Sequence, residues 1–139
     1  MILPVQSQQR IELIDITAEV QRMLQELPRV SNGICHVFVR HTTAGITINE
    51  SADPDVCRDL IDWLNRMAPH QAGYRHREGN SDAHIKSSLV GVSASIPIEN
   101  NRLQLGTWQG IFFCEFDGPR KRSVHIDVLS SPLPMDVHP

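Results

Sequence analysis

Apolar and polar residues alternate along several short segments of this chain, a pattern typical of half-buried β-strands. The residues Arg10–Ile16 alternate in this way and predict the first strand. Two further segments, Gly33–Arg40 and Thr42–Ile48, are rich in β-branched residues and also alternate. They predict two strands, or one long strand bent at Gly45, in a sheet with one solvent-exposed face.

Three other segments carry the signals of helices. A helix is predicted from an N-cap at Thr17 to about Leu27, because a threonine hydroxyl can accept a hydrogen bond from a free amide of the first turn. Asp53 as N-cap and Pro54 as first helical residue predict a second helix. Its apolar residues recur every three or four positions, at Val56, Leu60, Trp63, Leu64 and Met67. A short third helix is predicted at about Ala83–Leu89.

The remaining pattern predicts antiparallel strands joined by tight turns. The strands are expected at Val92–Ile98, Leu103–Leu105, Ile111–Phe116 and Arg122–Leu129. An Asn-Asn pair follows the first of them, and asparagine tolerates the positive φ of hairpin turns. Together these elements predict a single α+β domain over residues 1–139, an antiparallel β-sheet or sandwich with two or three helices packed on it. We expect its core at about residues 10–129 and a loose C-terminal tail at residues 130–139.

Charge and composition exclude several classes of protein. The chain has 139 residues, a length usual for one domain, and a formal net charge of −3. It therefore lacks the basic field of a general nucleic-acid binder. Its three cysteines are widely spaced and odd in number, which disfavours both a disulfide framework and a thiolate zinc site. No leader segment or membrane-spanning segment is recognisable, so we expect a cytoplasmic protein without a membrane partner.

The densest group of polar residues follows His41 and includes Asn49, Glu50 and Asp53. Such groups are costly inside a fold unless each finds a partner, at about 1–3 kcal/mol for each unpaired buried group, so the segment is a candidate site. The imidazole would act as an acid, a base or a ligand, although a single strand histidine is more often structural. The carboxylates would hold a hard cation such as magnesium, but capping of the following helix is the better explanation of Asp53 and Asp55.

Two histidines, His76 and His84, flank a polar loop. With His41 or Glu115 they would supply the three nitrogen or oxygen ligands of a catalytic zinc site. Their spacing matches no standard zinc pattern, and histidines in polar loops are commonly solvated. A divalent metal is therefore one interpretation of these residues and ordinary hydration is the other.

Two further motifs suggest ligand binding. Lys86, Ser87 and Ser88 lie in the third predicted helix, where a cation, hydroxyls and helix amides suit a phosphate or another anion. The second motif brackets Trp108 and Gln109 between two glycines. Glycine there permits positive φ or close approach of a ligand or a second chain, so the tryptophan lines a pocket or fills the core.

Taken in order, these motifs resemble the YjbQ-like family, small bacterial and archaeal proteins known as secondary thiamine-phosphate synthases. The resemblance runs from about residue 10 to residue 129 and is carried by HTTA at 41–44, NESADP at 49–54, RD at 58–59, YRH at 74–76, HIKSS at 84–88, GTWQG at 106–110 and Glu115. It implies a compact α+β fold assembled as a homotrimer. It also implies a pocket where the matching side chains converge, namely His41, Asn49, Glu50, Asp53, His76, His84 and Glu115.

The resemblance further implies a reaction that joins hydroxymethylpyrimidine pyrophosphate to thiazole phosphate. Under it, Glu50, Asp53 or Asp59 would hold magnesium, Lys86 would hold phosphate, and His41 would manage a proton. Two other function classes remain open from the sequence. One is a metal-dependent hydrolase of another small phosphorylated metabolite, and the other is a non-catalytic trimer that binds an anion.

Overall fold

The structure is a computed structural model that describes residues 1–131. Within them the chain forms eight strands and three helices. The strands are β1 (Ile2–Gln6), β2 (Glu12–Asp15), β3 (Asn32–Val39), β4 (Ala44–Glu50), β5 (Ser93–Glu99), β6 (Arg102–Leu103), β7 (Gln109–Glu115) and β8 (Lys121–Ser130). The helices are α1 (Thr17–Glu26), α2 (Pro54–Met67) and α3 (Ser81–Val90).

The strands form two antiparallel sheets. One has five strands in the order β1-β8-β3-β5-β6, and the other has three in the order β2-β7-β4. The alternating segments before and after residue 41 are therefore two strands that belong to different sheets. The chain crosses from one sheet to the other at residues 40–43, which places His41 at the crossing.

Strand β7 separates two hydrophobic cores. Its side chains Ile111 and Phe113 face the core between the sheets, where they meet α1 through Val20 and Leu24. The alternate side chains belong to a second cluster on the other face of the small sheet, formed by Leu64, Ala83, Phe112, Cys114 and Phe116. Because both faces of β7 are covered, its residues read as a continuous apolar run rather than an alternating one.

The predicted single α+β domain of antiparallel sheet with two or three helices is confirmed, and the number of helices is three. Asp53 caps α2 as expected, its carboxylate accepting the Asp55 amide at 2.9 Å. Thr17 is instead the first residue of α1, since Ile16 occupies the N-cap position. The prediction omitted β1, and it placed residue 130 in the tail although β8 extends to it. Residues 132–139 of the predicted tail lie outside the described residues.

No helix within residues 1–131 combines the length and the hydropathy that a bilayer crossing requires.

Candidate functional site

A cleft of about 530 Å³ opens where the chain crosses between the sheets. The crossing contributes Arg40, His41 and Thr42 to one wall, and α3 contributes the other. The polar residues from α3 are His84, Ser87 and Ser88. The sequence groups these side chains in two motifs more than forty residues apart, and the fold brings them to one cavity.

The orientation of His41 is set by a backbone amide. Ser123 of β8 donates its N–H to Nε2 of the imidazole at 3.1 Å. Only an unprotonated nitrogen can accept this bond, so neutral His41 carries its proton on Nδ1. Burial, together with the positive charge of Arg122, lowers the pKa of His41 below its ordinary value. At neutral pH this side chain is therefore an uncharged hydrogen-bond donor.

Glu115 lies beneath this crossing rather than in the cleft. Its side chain is fully buried, and both of its oxygens accept hydrogen bonds from the Arg122 guanidinium. Ser7 and the Asp117 amide complete its partners. Burial alone would raise the pKa of Glu115, but these hydrogen bonds, above all those from Arg122, lower it. The carboxylate thus anchors Arg122, and the structure leaves it no free oxygen for a ligand or a water.

Arg122 in turn holds the crossing segment. Its Nη2 donates to the Thr43 hydroxyl at 2.9 Å, and its neighbour Ser123 binds His41. The buried ion pair therefore fixes the backbone two residues from the imidazole. The local sequence around Arg122 does not indicate this role, because the fold brings its partners Thr43 and Glu115 to it.

Lys86 is also buried, and its ammonium lies 2.9 Å from Asp82 Oδ2. Arg10 binds the same carboxylate through two nitrogens, at 3.0 and 2.9 Å. Although burial acts to raise it, the hydrogen bonds from Arg10 and Lys86 lower the pKa of Asp82 to about 2. The Lys86 side chain is fully enclosed. A phosphate therefore cannot reach it in this arrangement, in contrast to the predicted contact.

The two serines of α3 differ in their partners. Ser87 is buried and donates to the Ala44 carbonyl at 2.7 Å, which ties α3 to β4. Ser88 is exposed and donates to the His84 carbonyl of its own helix at 3.0 Å. Both hydroxyls keep acceptor capacity, and Ser88 can turn its donor toward a ligand by giving up an exposed bond.

The second histidine pair extends the site along α3. The rings of His76 and His84 pack edge to face with centroids 5.4 Å apart. His76 Nε2 lies 3.6 Å from the Glu78 carboxylate. His84 therefore links the cleft at His41 to the loop before α3.

The predicted metal ligands do not form a metal site within the described part of the chain. No three side chains of His, Cys, Asp or Glu among residues 1–131 are arranged to hold an ion. His41 would have to bind through Nδ1, which moves its proton to Nε2 against the Ser123 amide. The donor set thus does not fit the zinc ion expected from His41, His76 and His84.

The acidic and amide residues lie at the opposite end of β4. Each has a side-chain oxygen that accepts a hydrogen bond from a nearby backbone amide: Asn49 from residue 50, Glu50 from residue 52 and Asp53 from residue 55. These contacts are caps and turns, and among residues 1–131 no carboxylate cluster that could hold magnesium is formed. Seven strand residues at about 3.3 Å each separate this group from His41 by roughly 20 Å along β4.

Trp108 and Gln109 lie beside this second group. Gln109 pairs with Glu50 in the small sheet, and the Trp108 carbonyl accepts the Ser51 amide at 2.9 Å. The Trp108 side chain is 63% exposed, so it does not fill the core. One chain therefore presents two separate groups of predicted site residues, one at each end of β4.

The chain matches the family model for UPF0047 protein YjbQ-like over residues 1–131. It is 50% identical over 125 residues to the UPF0047 protein MJ1081 of Methanocaldococcus jannaschii, covering 90% of each chain. It is also 50% identical over 129 residues to YugU of Bacillus subtilis, covering 91% of this chain and 96% of the relative.

Solved structures show the same fold. An uncharacterized conserved protein of the YjbQ/UPF0047 family from Clostridium acetobutylicum has a TM-score of 0.90 at 50% identity, over 93% of this chain and 99% of its own. A YbjQ-like protein of unknown function from Sulfolobus solfataricus has a TM-score of 0.89 at 30% identity, over 94% and 96%.

Proposed function

Because this chain belongs to the UPF0047 YjbQ-like family, we propose that it binds a small phosphorylated metabolite in the His41 cleft and catalyses a thiamine-phosphate synthase-type transfer. The observation that carries the proposal is the composition of the cleft. Its lining includes a guanidinium, two imidazoles and hydroxyls, at Arg40, His41, His84 and Ser88, and none of its lining residues is Asp or Glu. Such a surface favours a phosphate or pyrophosphate over a cation.

The transfer forms a bond between the thiazole nitrogen and the pyrimidine methylene carbon. The bond from that carbon to the pyrophosphate oxygen breaks, and its electron pair leaves with the pyrophosphate. Catalysis requires donors at the oxygens where negative charge grows. We assign the Nδ1–H of His41 and the guanidinium of Arg40 to these oxygens, and His84 and Ser88 to the same anion.

This assignment changes several of the roles expected from the sequence. Lys86 supports α3 from within and Glu115 supports Arg122, so neither touches the substrate. The group at the other end of β4 can contact a substrate at His41 only if another copy of the chain supplies it. This group consists of Asn49, Glu50, Asp53, Trp108 and Gln109. No step is assigned to a protein-bound metal ion, since the donor set does not fit one.

We also propose that the chain assembles as a homotrimer through the outer face of its five-stranded sheet. Ile2, Ile34, Phe38 and Leu129 project from this face and are 37–67% exposed. Ile34 and Leu129 are register partners, and Phe38 and Ile2 both pair with His125. These residues lie on three neighbouring strands, β1, β8 and β3, and exposed apolar residues grouped in this way favour contact with another chain.

The assembly is tested by light scattering after size-exclusion chromatography. The wild type should elute with three chain masses. Ile34→Lys should lower the mass, whereas Met67→Lys, at an exposed apolar position on α2, should leave it unchanged. A wild type of one chain mass would refute the trimer, and a trimer insensitive to Ile34→Lys would refute this interface.

A cytoplasmic location is part of the same proposal. Cys35, Cys57 and Cys114 are free thiols in the described fold, as expected in a reducing compartment.

The transfer is tested by measuring thiamine phosphate formed from the two phosphorylated precursors, with magnesium supplied as the pyrophosphate counter-ion. Arg40→Gln should weaken pyrophosphate binding about tenfold or more, and His41→Gln should lower kcat with a smaller effect on KM. Arg29→Gln removes another exposed charge, away from the cleft, and serves as the control.

The outcomes separate the function classes. Pyrophosphate binding that depends on Arg40, with no product above background, would reject the synthase and favour the non-catalytic anion binder. Absence of pyrophosphate binding in the wild type would reject the cleft itself as the site.

A further inference from the structure

A second, shallower cleft of about 450 Å³ adjoins the first one on α3. Its lining comes from the loop before α3 and from the helix itself: Tyr74, Arg75, His76, Ser81, His84 and Ile85. His84 lines both clefts. The two cavities therefore meet at one imidazole.

The chemistry of the second cleft differs from that of the first. Its surface is mostly nonpolar and includes three planar rings, those of Tyr74, His76 and His84. The Tyr74 hydroxyl already donates to the Pro69 carbonyl at 2.7 Å, and the His76 ring lies 3.6 Å from the Glu78 carboxylate. The surface offered to a ligand is mostly ring and hydrocarbon, including Ile85, which is 39% exposed, and Arg75 and Ser81 add polar groups beside it.

One face of α3 connects the two clefts. Ser81, His84, Ile85 and Ser88 are spaced at i, i+3, i+4 and i+7, so they lie along the same side of the helix. At 1.5 Å per residue, this row is about 10 Å long. The length is comparable to an aromatic ring that carries a phosphate on a short arm.

We propose that the two clefts form one bipartite site, with the phosphate of the ligand at Arg40 and His41 and a planar aromatic ring between His76 and Ile85. The ligand class is thus a phosphorylated aromatic or heteroaromatic ring on a short arm. This inference rests on the proposed function, because it uses the same phosphate cleft. It adds Tyr74, His76 and Ile85 as the residues that select the ring.

The inference is tested by calorimetric titration of the full chain with two probes of equal charge, 2-phenylethyl phosphate and propyl phosphate. The wild type should bind the aromatic probe at least tenfold more tightly. Ile85→Ser and His76→Ala should each remove most of that preference and leave the affinity for propyl phosphate unchanged.

A matched control guards against binding of the phenyl group elsewhere. Leu89 is an exposed apolar residue one turn further along α3, and it lines a separate apolar cleft with Leu13 and Trp63. Leu89→Ser should leave the preference for the aromatic probe intact. Loss of the preference in Leu89→Ser with retention in Ile85→Ser would overturn the ring assignment.

The remaining outcomes distinguish this inference from the proposed function. Equal affinity of the wild type for both probes would overturn the ring site and leave the phosphate cleft standing. Failure of both probes and of pyrophosphate to bind would overturn the phosphate cleft, and the ring site with it.

Discussion

The amide of Ser123 donates a hydrogen bond to Nε2 of His41 at 3.1 Å, across the boundary between the two sheets. This one contact selects the tautomer of the imidazole, because the amide requires a lone pair at Nε2. It also opposes protonation, since an imidazolium would present a second donor to the amide. The chemistry available to His41 is thus set by a strand that is remote in sequence.

The first prediction concerns the protonation of His41. Nitrogen-detected NMR should show neutral His41 with its proton on Nδ1, and a pKa below the ordinary value of 6.5 because burial and Arg122 disfavour the cation. His41→Gln identifies the resonances by their loss. An Nε2–H tautomer at neutral pH would contradict the assignment.

A second prediction concerns the ion pairs that buried Asp82 forms with Arg10 and Lys86. Asp82→Asn removes the anion that Lys86 and Arg10 share, so it should lower the free energy of unfolding by about 3–5 kcal/mol. Asp55→Asn makes the same chemical change in an exposed ion pair with Arg58 and should cost less than about 1 kcal/mol. Chemical denaturation of both variants measures the difference, and equal losses would refute the structural role of Asp82.

The stability of the wild type should also depend on pH through Asp82. The pKa of Asp82 is about 2 in the folded state and 3.8 ordinarily. A folded pKa below the unfolded one means that the carboxylate stabilises the fold above pH 3.8 and loses this contribution as the pH falls toward 2. The contribution is about 2 kcal/mol. Denaturation curves across this window should show the loss, smaller in Asp82→Asn, and a pH-independent wild type would contradict it.

Asp53 allows a cap to be distinguished from a magnesium ligand. Asp53→Ala should destabilise the protein by about 1 kcal/mol, because the Asp55 amide at the start of α2 loses its acceptor. Asp53→Ser should restore most of the loss, since a hydroxyl also caps. The melting temperature of the wild type should not rise with added magnesium, and a rise that depends on Asp53 would restore the cation interpretation.

Gly45 provides a test of how α3 meets the small sheet. A Cβ at residue 45 would lie 2.6 Å from the Gly91 carbonyl oxygen, which accepts the Ile46 amide at 3.0 Å. Gly45→Ala should therefore cost about 1–3 kcal/mol through overpacking. Gly106→Ala meets only the flexible Gln109 side chain and should cost less. Comparable melting temperatures for the two variants would contradict this account.

The fold was predictable wherever the signal is local. Asp53 and Pro54 mark the start of α2 because capping depends on neighbouring residues alone, and Asn100 and Asn101 do adopt the positive φ expected of their turn. The separation of β3 and β4 into different sheets was not predictable, because it depends on pairing with β8 and β7 far along the chain. Strand β1 escaped detection because only Leu3 and Val5 carry its buried face.

The candidate site was likewise predictable only where the signal is local. Four of the residues nominated from the sequence, His41, His84, Ser87 and Ser88, line one cavity. The sequence also nominated Lys86 and Glu115 by residue type, but their long-range partners Arg10 and Arg122 decide what each can do. Arg40, to which we assign a phosphate contact, was not nominated, because a strand-end arginine carries no motif.

Strand β8 also determines the order in which the molecule can be completed during synthesis. It lies between β1 and β3, yet it is the last described strand to leave the ribosome. Until residues 121–130 emerge, β1 has no partner, β3 has one open edge, and His41 lacks the Ser123 amide. Such long-range pairing makes folding slow and leaves unpaired strand edges exposed to aggregation. We therefore expect a nascent chain stalled before β8 to depend on chaperones until its final strand is made.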